Sequence, residues 1–168
     1  MHTSPLAEAL REFKYGGKRT WRLVFGRLLL GWLEDHPRWA GRIDLILPNP
    51  SYRARTPYPH VELVLAAAAA ADDQRRWPIH SSGLVKVQRT PRSAGGNSAD
   101  KREAARRHAA AVRIRRGLRD ELAGARVLLF DDVLTTGAQL DAVGRKLQQR
   151  WGVERVDGLV LARHPWQP

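Results

Sequence analysis

Two stretches near the start of the chain have apolar residues at the three- and four-residue spacing that is typical of amphipathic helices. The first stretch carries Leu6, Ala9, Leu10 and Phe13 and ends at Gly16 and Gly17. The second carries Trp21, Val24, Phe25, Leu28, Leu29 and Trp32. Because a stripe of this kind usually packs against a protein core, we predict two N-terminal helices that bury these residues.

Short apolar runs alternate with helical patterns over the rest of the chain. The runs at 43–47, 84–88, 127–130 and 156–161 predict strands. Helical spacing appears at 60–68, 100–111 and 140–151, and Pro59 is placed to begin the first of these helices. Strands that alternate with helices predict an α/β domain with a central parallel sheet flanked by helices.

The segment 89–100 interrupts this alternation. It is polar and rich in Gly, Ser, Pro and Arg, a composition that predicts a flexible loop. Asp100 and Glu103 resemble a capping pair, so the next helix is predicted to begin where this loop ends. With 168 residues, of which 43% are hydrophobic, the whole chain fits a single domain.

Composition limits the classes of protein to which the chain can belong. It has no cysteine, so disulfides and thiolate metal sites are excluded and no zinc is expected. The longest apolar run, 64–71, is too short to span a bilayer, and we expect a soluble cytoplasmic protein without membrane insertion. The formal net charge of +12 creates a positive field that attracts phosphates, either on a small ligand or on nucleic acid.

Two other kinds of site find little support in the sequence. The six histidines show no spacing typical of metal ligands, and we expect His60 and His108 to be ordinary surface residues, although both can approach a cleft. The segment 16–18 resembles part of a P-loop, but Glu12 replaces its earlier glycine and Arg19 its hydroxyl residue. A P-loop is therefore excluded.

The run 126–139 combines a strand, two acids and a hydroxyl-rich turn that leads into a helix. Residues 127–130 are apolar, as in a strand covered on both faces, and Asp131 and Asp132 follow at its carboxyl end. The turn at 135–139 precedes the helix, where unpaired amides and the helix dipole favour an anion. Ionised carboxylates accept hydrogen bonds from ribose hydroxyls or from water on a magnesium ion. One ribose 5-phosphate therefore satisfies both halves of the run.

A purely structural explanation of this run stays open. Two acids after a strand can form a helix-capping turn, and Thr-Thr-Gly can form a plain loop without any ligand. The complete order of strand, acids, turn and helix favours the sugar-phosphate interpretation.

The run resembles the phosphoribosyl-diphosphate (PRPP) signature of type I phosphoribosyltransferases, in which four apolar residues precede two acids and a Thr-Thr-Gly turn. The resemblance implies that Asp131 and Asp132 are the catalytic acids that bind the ribose hydroxyls and Mg²⁺, directly or through water. It implies that the 5-phosphate is bound by Thr135, Thr136, Gly137, Ala138 and Gln139. Gln139 departs from the Thr or Ser that is usual at the last position, so one hydroxyl contact is lost while the backbone amide remains.

The order of the other segments resembles the ComF competence-protein branch of this family, without the cysteine-rich zinc segment that often precedes the domain. The resemblance implies a type I phosphoribosyltransferase fold in a single domain over 1–168, with a small N-terminal helical hood at 1–40 and an α/β core at 41–168. It also implies a diphosphate-binding loop after the first strand and a flexible loop, 89–100, that closes over the reacting carbon. Diphosphate binding is assigned in this way to Ser51, Tyr52, Arg53 and Arg55, and the flexible-loop contacts to Arg89 and Arg92.

Two functions follow as predictions. The first is a PRPP-binding protein that transfers or senses 5-phosphoribosyl groups with Mg²⁺ as the cofactor. The alternative is a non-catalytic module that binds single-stranded DNA or a competence protein during DNA uptake or processing. Its phosphate-tracking surface would comprise Arg102, Arg106, Arg107, Arg113, Arg115 and Arg116. Either form can assemble as a homodimer.

Overall fold

The computed structural model describes residues 4–52, 59–90 and 98–163, and within these ranges helices alternate with strands. The helices are α1 (Pro5–Tyr15), α2 (Trp21–Asp35), α3 (Pro37–Ala40), α4 (His60–Ala71), α5 (Ser98–Ala111) and α6 (Ala138–Trp151). The strands are β1 (Leu45–Pro48), β2 (Leu84–Lys86), β3 (Val112–Ile114), β4 (Arg126–Leu134) and β5 (Arg155–Arg163). A short 3-10 helix covers Arg116–Glu121.

The central sheet has three parallel strands in the order β1-β4-β5. Leu45 of β1 lies opposite Val127 of β4, which in turn lies opposite Val156 of β5. All four residues of β1 and the apolar start of β4 are buried, as expected for a parallel strand with helices on both faces. The predicted α/β class, with a parallel sheet flanked by helices, is confirmed.

Strand β2 does not belong to the parallel sheet, which corrects the prediction from the alternating pattern. It pairs antiparallel with β3 in a separate two-stranded sheet, with Leu84 opposite Ile114 and Lys86 opposite Val112. The reason is that β3 begins directly after α5. No residue is left between them for the turn that would reverse the chain and make β3 parallel to β2. The apolar runs revealed β1, β2, β4 and β5, but not β3 and not which strands pair.

Two predicted boundaries also differ from the structure. Helix α5 begins at Ser98, so Asp100 lies within its first turn and is not the capping residue. Strand β4 continues past its apolar part to Leu134, and both acids are therefore still in the strand. Of the predicted flexible loop at 89–100, residues 91–97 lie outside the described ranges.

The two faces of the sheet carry separate apolar clusters. Helices α1, α2 and α4 cover one face, where Leu128 and Phe130 of β4 belong to the cluster. Helices α5 and α6 cover the other, where Val127 and Leu129 are buried. Because side chains of a strand alternate between its faces, Leu128 and Phe130 face the N-terminal helices, whereas Val127 and Leu129 face α5 and α6.

The apolar stripe predicted for α2 is only partly buried. Phe25 and Leu29 are 1% and 2% exposed, whereas Val24 and Leu28 are 47% and 52% exposed. The prediction that all of these residues face the core is thus wrong for the outer part of the stripe. None of the helices in the described ranges has the length and apolar character needed to cross a membrane.

Helices α2 and α4 approach each other closely at Gly26. A Cβ atom at this position would lie 2.9 Å from the backbone nitrogen of Ala68 and 3.1 Å from the carbonyl carbon of Ala67. Backbone atoms of a packed helix cannot move aside without a loss of packing energy. In contrast, a Cβ atom on Gly31 of the same helix would meet nothing within 4 Å.

We therefore expect Gly26→Ala to destabilise the protein by about 1–3 kcal/mol, because α2 and α4 must separate to admit the methyl group. Gly31→Ala is the matched control and should raise stability by up to about 1 kcal/mol through helix propensity alone. Urea unfolding measures both. Equal effects of the two substitutions would contradict the close approach of α2 to α4.

Candidate functional site

The two adjacent acids of the signature run point to opposite faces of the sheet. Asp131 lies on the face covered by α5 and α6, and Asp132 lies on the face covered by the N-terminal helices and α4. Both acids were predicted to bind the ribose hydroxyls and Mg²⁺, but Asp131 lines a cavity and Asp132 is paired with Lys14 and His60.

Asp131 lines a cavity of about 90 Å³ at the carboxyl end of β4. All five residues predicted to bind the 5-phosphate line the same cavity, namely Thr135, Thr136, Gly137, Ala138 and Gln139. Lys101 from the first part of α5 contributes a cation that the signature run does not contain. The structure thus brings together one acid, the whole turn and one lysine.

The turn at the start of α6 has the backbone geometry of an open helix N-terminus. Gly137 is the N-cap residue and has a φ of +73°, in the left-handed region that glycine adopts without strain. It provides no side-chain cap, and the Thr136 hydroxyl accepts only a long hydrogen bond of 3.4 Å from the Ala138 amide. The amides at this helix start are consequently available to an anion in the cavity.

The Asp131 carboxylate is held by two hydrogen bonds on its inner side. Asn49 Nδ2 donates to Oδ2 at 2.6 Å, and the backbone N–H of Asp132 donates to Oδ1 at 2.9 Å. Burial raises the pKa of Asp131 to about 7, and the charge of Asp132 adds to this rise. The proton on this carboxyl group can therefore be exchanged near neutral pH.

Asp132 is buried and is paired with two basic groups instead of lining the cavity. Lys14 Nζ of α1 and His60 Nε2 of α4 each lie 2.8 Å from its Oδ2 atom. Burial alone would raise the pKa of Asp132, but the hydrogen bond from His60 and the charge of Lys14 outweigh it, and the pKa is lowered. This acid joins the sheet to α1 and α4.

His60 and His108 are not surface residues, which corrects the expectation for both. The His60 side chain is 13% exposed and contacts Asp132, and His108 is 4% exposed. His108 Nε2 lies 3.0 Å from Asn49 Oδ1, and its Nδ1 lies 3.0 Å from Lys86 Nζ. Burial, with the charge of Lys86 as a second cause, lowers the pKa of His108 to about 4.

Sequence analysis missed Asn49 and Lys86 as members of this site. Asn49 stands between two prolines at the end of β1, where any polar side chain meets the carboxyl end of β4. Lys86 is in the antiparallel strand β2, whose position the sequence pattern did not reveal. For His108 the sequence did contain a signal, because this residue lies at helical spacing from Ala104 and Ala111. All three side chains are buried in the structure.

The residues predicted to bind diphosphate are only partly described. Ser51 lines a second cavity of about 250 Å³, together with Lys86 and Arg115 among others. Its buried Oγ atom has no hydrogen-bond partner in the described part of the chain. Tyr52 is half-buried and Arg89 is exposed. Outside the described residues lie Arg53, Arg55 and Arg92.

The six arginines predicted to form a phosphate-tracking surface do not line one common groove. Arg102 and Arg106 line a groove of about 640 Å³ between α5 and α6. The other cations that line it are Arg145, Lys146 and Arg150 of α6, which sequence analysis did not select. Elsewhere, Arg107 pairs with Glu103, Arg113 donates to Ala110 O and Val112 O, Arg115 donates to Ser82 Oγ, and Arg116 begins the 3-10 helix.

The side chains that line the cavity limit how a magnesium ion can bind there. No group of three or more side chains that could hold a metal ion occurs among the described residues. A single carboxylate, that of Asp131, lines the cavity, and Mg²⁺ commonly binds through one or two carboxylates together with substrate phosphates and water. The residues present therefore fit a magnesium ion that arrives with a phosphorylated ligand.

Comparisons with known proteins leave the family of the chain open. A scan against models of protein families found no match, and a search of curated proteins found none either.

We expect Lys14→Met to destabilise the protein by about 3 kcal/mol, because the buried carboxylate of Asp132 loses its lysine partner and keeps only His60. Lys18→Met is the matched control, since Lys18 pairs with Glu12 at an exposed position and its loss should have a much smaller effect. Thermal unfolding compares the two variants at pH 7. A similar melting temperature for both would show that Asp132 does not depend on Lys14.

Proposed function

We propose that the protein binds a 5-phosphoribosyl group, as PRPP with Mg²⁺, in the cavity formed by Asp131 and the turn at 135–139, and that its fold is that of a type I phosphoribosyltransferase. One observation carries this proposal: an acid that can accept hydrogen bonds from a sugar and a turn that can bind a phosphate line one cavity. A ribose 5-phosphate carries hydroxyls and a phosphate on one small molecule, so a single ligand of this class would satisfy both parts of the cavity.

Each part of the cavity has a defined role in this proposal. The amides at the start of α6 and the Thr135 and Thr136 hydroxyls donate to the 5-phosphate, and Lys101 adds a positive charge. The free lone pairs of Asp131 accept from the ribose hydroxyls, while Asn49 and the Asp132 amide fix its inner side. Mg²⁺, when bound, neutralises charge on the phosphates.

The second cavity, lined by Ser51, is proposed to take the diphosphate. The unpartnered hydroxyl of Ser51 can donate to a phosphate oxygen, and the cations of Lys86 and Arg115 line the same space. In transfer, the bond between the sugar carbon and the diphosphate oxygen breaks, the acceptor bonds to that carbon, and the charge on the leaving diphosphate is stabilised by these cations.

We expect Asp131→Asn to weaken binding of Mg²⁺–PRPP by about 10- to 100-fold, because an amide replaces the charged acceptor for the ribose hydroxyls. Isothermal titration calorimetry at pH 8, where the carboxyl group of the wild type is largely ionised, measures the loss. The pKa of about 7 also predicts that wild-type affinity falls as the pH drops below 7, because protonation removes the charged acceptor.

Asp157→Asn serves as the control, since Asp157 lies on β5, pairs with Arg155 and does not line the cavity. It should bind PRPP as the wild type does. Unchanged affinity in Asp131→Asn, or no binding by the wild type, would contradict the proposed function.

A second candidate function is the binding of single-stranded nucleic acid, and the groove between α5 and α6 is the observation that favours it. Five cations surround this groove, and alanines form its floor. Asp141 offsets part of the charge by pairing with Arg145, and the Lys146 ammonium donates to Ala109 O at 2.7 Å. Arg106 pairs with Glu103, so Arg102 and Arg150 carry most of the charge available to a phosphate backbone.

If a single strand binds here, a double substitution of Arg102 and Arg150 to Ala should lower the slope of log affinity against log salt by about 1.4. Fluorescence anisotropy with a labelled oligothymidylate measures this slope. Arg42→Ala is the control, because Arg42 is exposed and follows the distant helix α3. Absence of binding at low salt would rule out this function.

A further inference from the structure

A continuous chain of polar side chains, none of which lines the cavity, leads to Asp131. Lys86 Nζ lies 2.6 Å from Thr90 Oγ1 and 3.0 Å from His108 Nδ1. His108 Nε2 lies 3.0 Å from Asn49 Oδ1, and Asn49 Nδ2 lies 2.6 Å from Asp131 Oδ2. The chain thus connects β2, α5 and the end of β1 to the acid on β4.

The chemistry of its members gives this chain a single direction. A lysine ammonium has donors only, so His108 Nδ1 must accept from Lys86 and the ring proton must be on Nε2. Nε2 then donates to the carbonyl oxygen of Asn49, which turns the amide nitrogen of Asn49 towards Asp131. From Lys86 through His108 and Asn49 to Asp131, each bond therefore donates towards the carboxylate.

We propose that Lys86, His108 and Asn49 are positioning residues that fix the Asp131 carboxylate in one orientation through this directional chain. The inference rests on the proposed function, since it concerns the acid that would bind the ribose hydroxyls. An inverted Asn49 would place its carbonyl oxygen against the carboxylate, and the lysine prevents this by determining the histidine tautomer. The outer lone pairs of Asp131 then point to the cavity in every molecule.

Burial means that the hydrogen bonds of Asn49 and His108 must be made within the protein. Asn49 and His108 are 5% and 4% exposed, so water does not provide a substitute partner without entering the core. A protonated His108 would direct an N–H at the Lys86 ammonium, and the lowered pKa of about 4 agrees with a neutral ring. Among the described residues, the charged groups around the chain include Lys86 at one end, Asp131 with Asp132, Lys14 and Lys101 at the other, and Arg115 and Glu62 beside the Ser51 cavity.

Two variants of His108 separate positioning from simple packing. His108→Leu fills the space but cannot relay the hydrogen bonds, and it should weaken binding of ribose 5-phosphate by about tenfold. His108→Gln has an oxygen that can accept from Lys86 and a nitrogen that can donate to Asn49, so it should remain within about threefold of the wild type. Titration calorimetry measures both. Equal affinities for the leucine variant and the wild type would overturn the proposal.

A second measurement needs no ligand and so distinguishes this inference from the proposed function. Nitrogen-15 NMR of the wild type should show His108 as the neutral Nε2–H tautomer from pH 8 to pH 5, and Lys86→Met should allow the other tautomer to appear. An Nδ1–H tautomer in the wild type would overturn the chain. If the tautomer is as expected but ribose 5-phosphate does not bind, the proposed function fails while the directional chain is upheld.

Discussion

Two neighbouring carboxylates near the carboxyl end of β4 impose the constraint on which the rest of the structure depends. Neither can lie in a protein interior at neutral pH without charged or hydrogen-bonding partners. Alternation along the strand sends them to opposite faces, so each face must supply its own partners. Lys14 and His60 do so for one acid, and Asn49 does so for the other.

This separation gives the acids unequal roles. Asp132 has its pKa lowered by two basic partners and fastens α1 and α4 to the central strand. Asp131 has its pKa raised by burial and still has an outer side that lines the cavity. One acid therefore stabilises the fold, and the other remains available to a ligand. A sequence motif that shows two equal aspartates contains no sign of this difference.

Features that depend on local pattern could be predicted from the sequence. The strands at 43–47 and 127–130, the α/β class and the position of the turn at 135–139 at a helix start all follow from residues close together in the chain. Features that depend on pairing over long separations could not. The antiparallel partner of β2, the burial of His108 and the exposure of Leu28 each depend on which surfaces meet. The contact between Asn49 and Asp131 joins residues 82 positions apart.

The central claim is that a phosphate binds at the start of α6 while a sugar faces Asp131. An NMR titration of the nitrogen-15-labelled protein with ribose 5-phosphate tests it most directly, because each amide reports on its own surroundings. The account predicts that the largest shifts occur at the amides of residues 136–139 and at Asp131, with inorganic phosphate moving only the former group. Shifts confined to the groove between α5 and α6, or no shifts at millimolar ligand, would contradict it.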